Sequence, residues 1–327
     1  MPLLAPALDP ELNDLLAGLP PGGRLDVELL SAIRPFSVTP AETALRGHAV
    51  ERRDAAAPRP DGTAVPLTVL TPAGGAPAGA PCVYWIHGGG MVMGDRFSQI
   101  DVPLDWLTAF GAVVVTAEYR LAPEHGGTAL VEDCYHGLLW TASHAAELGA
   151  DPDRVVVAGV SAGGGLAAGT VLMARDLGGP PVAAQVLVCP MLDHRNSTVS
   201  ARQFTGRPAV WTGEMNAFGW ASVLAGLGSA EVPAYVSPAL AADLSGLPPT
   251  YVDAGTAEVF RDEDVAFANG VWAAGGDAEL HIWQGGCHGF DALFPQARLS
   301  AAARRTRRDW LARVLDSTAR PDIAARA

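Results

Sequence analysis

Positive charge is scarce in this chain: 22 Lys and Arg stand against 35 Asp and Glu, a formal net charge of −13. So acidic a chain carries no electrostatic footprint for nucleic acid or an anionic membrane, and its charge serves solubility. Cysteine is sparse as well. Cys82, Cys134, Cys189 and Cys287 are widely separated, with neither C-x-x-C nor zinc-site spacing. They read as reduced, mostly buried thiols of a cytoplasmic protein, and no metal is expected. The opening Met1-Pro2-Leu3-Leu4-Ala5-Pro6 has no basic region and meets Asp9 and Glu11 at once, unlike a secretory signal. No uninterrupted apolar run reaches the length of a membrane span.

What the chain does have is apolar bulk, 49% of 327 residues against 17% charged, ample for a large core. Residues 1–45 read as a helical arm. Asp9-Pro10-Glu11 supplies a capping residue, a proline at the first helical position and an acid in the first turn. Leu12, Leu15, Leu16 and Leu19 then share a face, ended by Pro20-Pro21-Gly22-Gly23, and a second pattern, Val27, Leu29, Leu30 and Ile33, stops at Pro35. The arm is either a packing element or half of a lid. Strands are expected at 48–53 and 65–70 as an antiparallel edge, then at 82–86, 112–116, 154–158, 182–189, 249–254 and 279–283. Helical patterns cover 128–148, 163–176, 263–275 and 296–316, and the tail from Arg320 reads as frayed. Runs such as Cys82-Val83-Tyr84-Trp85-Ile86 suit strands covered on both faces, so the alternation predicts a mainly parallel sheet with helices on both sides. It breaks over 191–236, an aromatic-bearing insertion with a helix expected at 214–225, which leaves 46–190 and 237–327 as the core.

The chemistry centres on Gly159-Val160-Ser161-Ala162-Gly163, a serine between glycines where a strand turns into a helix. That is a nucleophile elbow: the turn is too crowded for side chains at its glycines and holds the serine exposed and strained. A serine hydroxyl needs a base, and the base needs an acid. His288, in the loop after the strand at 279–283, is placed to be the base; His281 lies inside a strand, His136 and His144 in a helix, and His194 in the insertion. For the acid, Glu258, Asp262, Glu263 and Asp264 all follow the strand at 249–254. The last three stand where a helix start uses carboxylates as caps, so Glu258 is the better candidate. His87-Gly88-Gly89-Gly90 follows the strand at 82–86 and can turn backbone N–H groups into a cavity, with the N–H of Ala162 as a third donor. His87 is read as a prop for that loop. Met91, Trp211 and Phe218, bulky and close to this loop or in the insertion, are candidate pocket walls.

Four stretches together, His87-Gly88-Gly89-Gly90-Met91, Tyr119-Arg120-Leu121-Ala122-Pro123-Glu124-His125, Gly159-Val160-Ser161-Ala162-Gly163-Gly164 and Cys287-His288-Gly289-Phe290, resemble the motifs of the bacterial hormone-sensitive-lipase-like esterases (family IV) of the α/β-hydrolase superfamily. The resemblance implies an α/β-hydrolase fold: a mostly parallel eight-stranded sheet, helices on both faces, and a helical cap from 1–45 and 191–236. It also implies carboxylic-ester hydrolysis without a cofactor, and Gly89, Gly90 and Ala162 as oxyanion donors. Three positions depart from the family. Where it commonly carries D-P-L-R-D-E, this chain has Glu258-Val259-Phe260-Arg261-Asp262-Glu263, which makes a Ser-His-Glu variant. Val160 replaces a frequent acidic residue, and Gly126-Gly127-Thr128 a proline-aromatic-proline run.

The expectation is therefore a cytoplasmic esterase that forms an acyl-enzyme with small to medium acyl esters, a small-molecule substrate being its partner and a homodimer left open. Amide, carbamate or thioester hydrolysis uses the same machinery. A receptor is the other alternative, since the plant gibberellin receptors resemble this family but have lost the histidine; here all three triad positions are filled. A long-chain lipase is disfavoured by the lack of a large apolar surface helix.

Overall fold

The β-branched runs pair into one sheet in the computed structural model, which describes residues 3–19 and 23–318. Its strands are β1 (Val50–Pro58), β2 (Ala64–Pro72), β3 (Cys82–Ile86), β4 (Val113–Ala117), β5 (Val155–Val160), β6 (Ala184–Val188), β7 (Thr250–Ala257) and β8 (Ala278–Cys287). They lie in the order β1-β2-β4-β3-β5-β6-β7-β8. β1 and β2 form the antiparallel edge, β2 meets β4 antiparallel, and every later pairing is parallel. β3 to β6 are buried at every position, which is why they read as continuous apolar runs.

Side chains alternate between two cores along each strand. Tyr84 and Ile86 of β3 join Leu138 of α5 (Ala129–His144), Leu166 of α6 (Ala162–Asp176) and Phe267 of α9 (Arg261–Ala273). Val83 and Trp85 face the other way, toward Trp106 of α4 (Asp101–Phe110) and Leu311 of α11 (Arg298–Thr318). Helix α4 has no counterpart in the sequence reading. Val102, Pro103, Leu104, Trp106 and Leu107 are buried and Asp101, Asp105 and Thr108 share the other face, but the helix is only ten residues long and a proline sits in its first turn. β7 and β8 run three to four residues beyond their expected ends, and β8 stops just before His288.

The arm forms α1 (Pro10–Leu16), α2 (Val27–Ile33) and α3 (Ala41–Ala44). Asp9 caps α1 by accepting from the N–H of Glu11 (2.9 Å) and of Leu12 (3.3 Å), and Asp26 caps α2 through Leu29. The expected apolar stripes meet the core through Leu12 and Leu30, whereas Leu15, Leu19, Val27 and Leu29 are exposed. Helices of two turns bury one side chain each, with Leu16 and Ile33 half-buried against the core beside them. The arm is tied at both ends: Asp9 N donates to Gly285 O (2.9 Å), and Arg34 donates to Val92 O (2.6 Å) and Ala122 O (2.6 Å) and pairs with both oxygens of Glu124. The expected stop at Pro20 to Gly22 and the frayed tail from Arg320 lie outside the described residues. In the insertion, α7 (Val199–Gln203) and α8 (Gly213–Leu224) form, and α10 (Phe290–Leu293) follows the His288 turn. Among the described residues no helix is long and apolar enough to cross a membrane.

Candidate active site

Ser161 links β5 to α6 at φ 57°, ψ −123°, a left-handed conformation that a non-glycine residue adopts only under constraint. The constraint is crowding. A Cβ on Gly159 would lie 2.2 Å from Gly163 O, and one on Gly163 would lie 2.1 Å from Ile86 O, so neither position has room for a side chain. Helix α6 starts directly behind, its positive end toward the serine.

Three loops from different parts of the chain converge here. His288 Nε2 lies 2.9 Å from Ser161 Oγ, and His288 Nδ1 lies 2.7 Å from Glu258 Oε2. Glu258 is 1% exposed, and its other oxygen accepts the N–H of Gly255 at 2.6 Å, which fixes the carboxylate plane. Phe260 meets the imidazole edge to face, ring centroids 5.0 Å apart. Ser161 and His288 are 7% and 8% exposed, enough to be reached from one side only.

The glycine loop after β3 is braced from below. His87 is fully buried, stacks on Tyr119 (4.2 Å between centroids) and donates from Nδ1 to Gly88 O (2.8 Å), while Tyr119 Oη donates to His87 O. Burial pulls the His87 pKa down to about 4, so its ring is a neutral prop. Among the described residues, the N–H groups of Gly89, Gly90 and Ala162 enter no hydrogen bond within the chain. Trp211 lies against this loop, since a Cβ on Gly90 would come 2.2 Å from its indole. Met91 is buried, and its carbonyl accepts from Ala122 N, while Phe218 is half-buried on α8.

A cavity of about 890 Å³ opens between arm and insertion, lined in part by Leu8, Leu16, Phe204, Val210, Ala257 and Cys287. Met91, Trp211 and Phe218 do not line it. Its walls reach Ala257 and Cys287, each the chain neighbour of a residue in the serine–histidine–glutamate relay. Leu16 was visible in the sequence as part of an apolar stripe, but nothing local marked that stripe as a cavity wall.

Of the remaining acids after β7, two have other partners and the third has none among the described residues. Asp262 does not cap its own helix as expected. It is already inside α9, and its carboxylate accepts from Ser200 N at the start of α7 (2.8 Å) and from Arg261 (2.8 Å). Glu263 is buried and accepts from the N–H of Leu192 and Asp193. Asp264 is fully buried with neither oxygen partnered, and burial holds its carboxyl well above the usual range.

Two features escaped the sequence reading. Arg307 of α11 is 1% exposed and bridges Asp253 of β7 (2.9 Å) and Asp291 of α10 (3.0 Å), so one buried guanidinium joins the segments that carry Glu258 and His288. Tyr251 and Trp283 also donate to Asp253. The second is Cys189, the residue after β6, whose thiol lies beside Glu258 and His288. All four cysteines are free and buried.

Comparison with known proteins agrees with this architecture. A family model described as the alpha/beta hydrolase fold matches residues 83–292. Esterase LipI of Mycobacterium tuberculosis is 36% identical over 214 residues, which span 65% of this chain and 66% of LipI. Among solved structures, a bacterial heroin esterase superposes with a TM-score of 0.84 at 37% identity, covering 94% of this chain and 98% of that one. Esterase LipW of Mycobacterium marinum gives 0.84 at 32% identity, covering 95% and 98%. The chain belongs to the α/β-hydrolase family and, within it, to the bacterial hormone-sensitive-lipase-like (family IV) esterases, serine hydrolases that cleave carboxylic esters.

Proposed function

We propose that this chain hydrolyses carboxylic esters with small to medium acyl groups through Ser161, His288 and Glu258. The observation that carries the reading is the continuous relay from Ser161 Oγ to His288 Nε2 (2.9 Å) and from His288 Nδ1 to Glu258 Oε2 (2.7 Å). His288 takes the serine proton as Oγ attacks the ester carbonyl. Glu258 holds the imidazole in the tautomer with Nδ1 protonated and stabilises the imidazolium that forms. The negative oxygen of the tetrahedral intermediate is received by the N–H groups of Gly89, Gly90 and Ala162, which have no acceptor of their own among the described residues. His288 then protonates the leaving alcohol and activates water to release the acid.

The cap is formed by residues 1–45 and 191–236, with Met91, Trp211 and Phe218 shaping the pocket near the oxyanion loop. Four free, buried thiols support a cytoplasmic setting. Purified protein should hydrolyse p-nitrophenyl butyrate, and Ser161→Ala should lower kcat by about a million-fold with Tm unchanged. A Ser161→Ala protein that kept a tenth of the rate would end this reading.

A further inference from the structure

Cys189 sits at the end of β6 with φ 37°, its N–H donating to Asp253 O (2.7 Å) and its thiol accepting the N–H of Gly289, one residue past His288. Its Sγ, a carboxylate oxygen of Glu258 and a ring nitrogen of His288 all lie within 4.8 Å of one another, and all three residues are buried. Thiolate, imidazole and carboxylate form the donor set of borderline-soft divalent cations. Bond lengths of about 2.0–2.3 Å place such donors roughly 3.3–3.8 Å apart, so one ion needs the 2.7 Å Nδ1–Oε2 pair to open and the wider separations to close, each by about an ångström.

We propose that Cys189, Glu258 and His288 form an inhibitory site for a thiophilic divalent cation of the zinc class; the inhibition rests on the triad reading above. The cation takes Sγ, Glu258 Oε2 and His288 Nδ1, with water in the fourth position. The thiol proton leaves to solvent. The proton on Nδ1 is replaced by the metal bond and reappears on Nε2, so one proton is released for each cation bound. Nε2 then faces Ser161 Oγ as a donor and has no lone pair to accept the serine proton. Hydrolysis stops while the fold stays intact. Magnesium, which demands oxygen ligands, does not substitute.

Ser161→Ala protein, free of turnover, separates binding from activity. Calorimetric titration with zinc in two buffers of different ionisation enthalpy should give one site and one proton released per chain. Cadmium should raise a thiolate charge-transfer band that disappears in Ser161→Ala/Cys189→Ala. In the active protein, zinc should abolish p-nitrophenyl butyrate hydrolysis, a chelator should restore it, and magnesium should have no effect. Scored against each variant's own metal-free rate, the half-inhibitory zinc concentration should rise by about tenfold or more in Cys189→Ala, because losing even an outer partner of a metal ligand costs that much. It should stay near the wild-type value in Cys287→Ser. The proposal is overturned if Cys189→Ala is as sensitive as wild type, if sensitivity follows Cys287, or if cadmium gives no Cys189-dependent band. Were ester hydrolysis itself absent, the two binding measurements would still decide the site, so the failures are distinguishable.

Discussion

Replacing Arg307 by methionine should be among the most damaging single changes far from the serine. The side chain is 1% exposed, and the two carboxylates it joins, on Asp253 and Asp291, are each 2% exposed. Methionine keeps much of the volume but leaves two buried acids without their cation, and removing one partner of a buried ion pair costs about 3–5 kcal/mol. Unfolding entropy of about 2.1 cal/mol/K per residue gives this 327-residue chain roughly 0.7 kcal/mol/K, so each kcal/mol moves Tm by about 1.5 °C. The expected drop is therefore about 4–7 °C at neutral pH. It should shrink on acidification, because burial already raises the Asp253 carboxyl and loss of the guanidinium raises it further. Stability in the variant then falls as pH rises above the unfolded value near 3.8 toward the folded one. Arg313→Met is the control: Arg313 pairs with Glu279 at 2.7 Å, but its side chain is 60% exposed, and such pairs contribute under about 1 kcal/mol. Scanning calorimetry of both variants beside wild type decides the matter. Equal losses in the two would refute the reasoning, and so would a loss in Arg307→Met that does not vary with pH.

Glu258→Gln should lower kcat by roughly two to four orders of magnitude with little change in Tm. Asp262→Asn should keep most of the activity, since asparagine can still accept from Ser200 N; an active Glu258→Gln beside a folded, inactive Asp262→Asn would reverse the assignment. Alanine at Met91, Trp211 or Phe218 should shift acyl-length preference by several-fold, each methylene being worth about 0.8 kcal/mol, and Trp211→Ala most because its indole lies on Gly90. Unchanged kcat/KM profiles across p-nitrophenyl esters in all three variants would make these residues core only. Asp264→Asn should gain stability relative to wild type as pH rises from acid toward neutral. The raised aspartate favours folding fully only below its unfolded value near 3.8, whereas asparagine carries no proton to lose. A pH-independent Tm difference would show that Asp264 does not titrate in the fold.

The inner strands β3 to β6 were legible because they are short, largely β-branched and buried on both faces, and Ser161, Glu258 and His288 stood out because each follows a strand, although β8 ahead of His288 is mostly half-buried. Helix α4 carries a helical period, with Asp101, Asp105 and Thr108 on one face, and went unread because it is short and has a proline in its first turn. Asp262 was misread as a cap because helix boundaries are soft by a residue or two, and its real partner, Ser200, is 62 positions away. Arg307 and Cys189 had no local signal at all. Their significance lies in meeting residues that are distant in the chain, Arg307 with Asp253 and Asp291, Cys189 with Glu258 and His288.

Two of the arm's attachments matter to anyone recombining such chains. Residue 45 looks like a natural crossover point, with helices before it and the sheet after it. Yet the arm reaches the chain on both sides of the serine: at Gly285 ahead of His288, and at Val92 just past Gly90. The first contact is backbone to backbone, so a donor arm with any residue but proline at position 9 can remake it. The second runs through the guanidinium of Arg34 to Glu124 and two carbonyls, and is remade only if the incoming arm brings its own arginine to that spot. A graft chosen for its effect on substrate range would then disturb the glycine loop that ends at Gly90, and the losses would be misread as poor substrate fit. Exchanging residues 34 and 124 together carries this contact across with the arm.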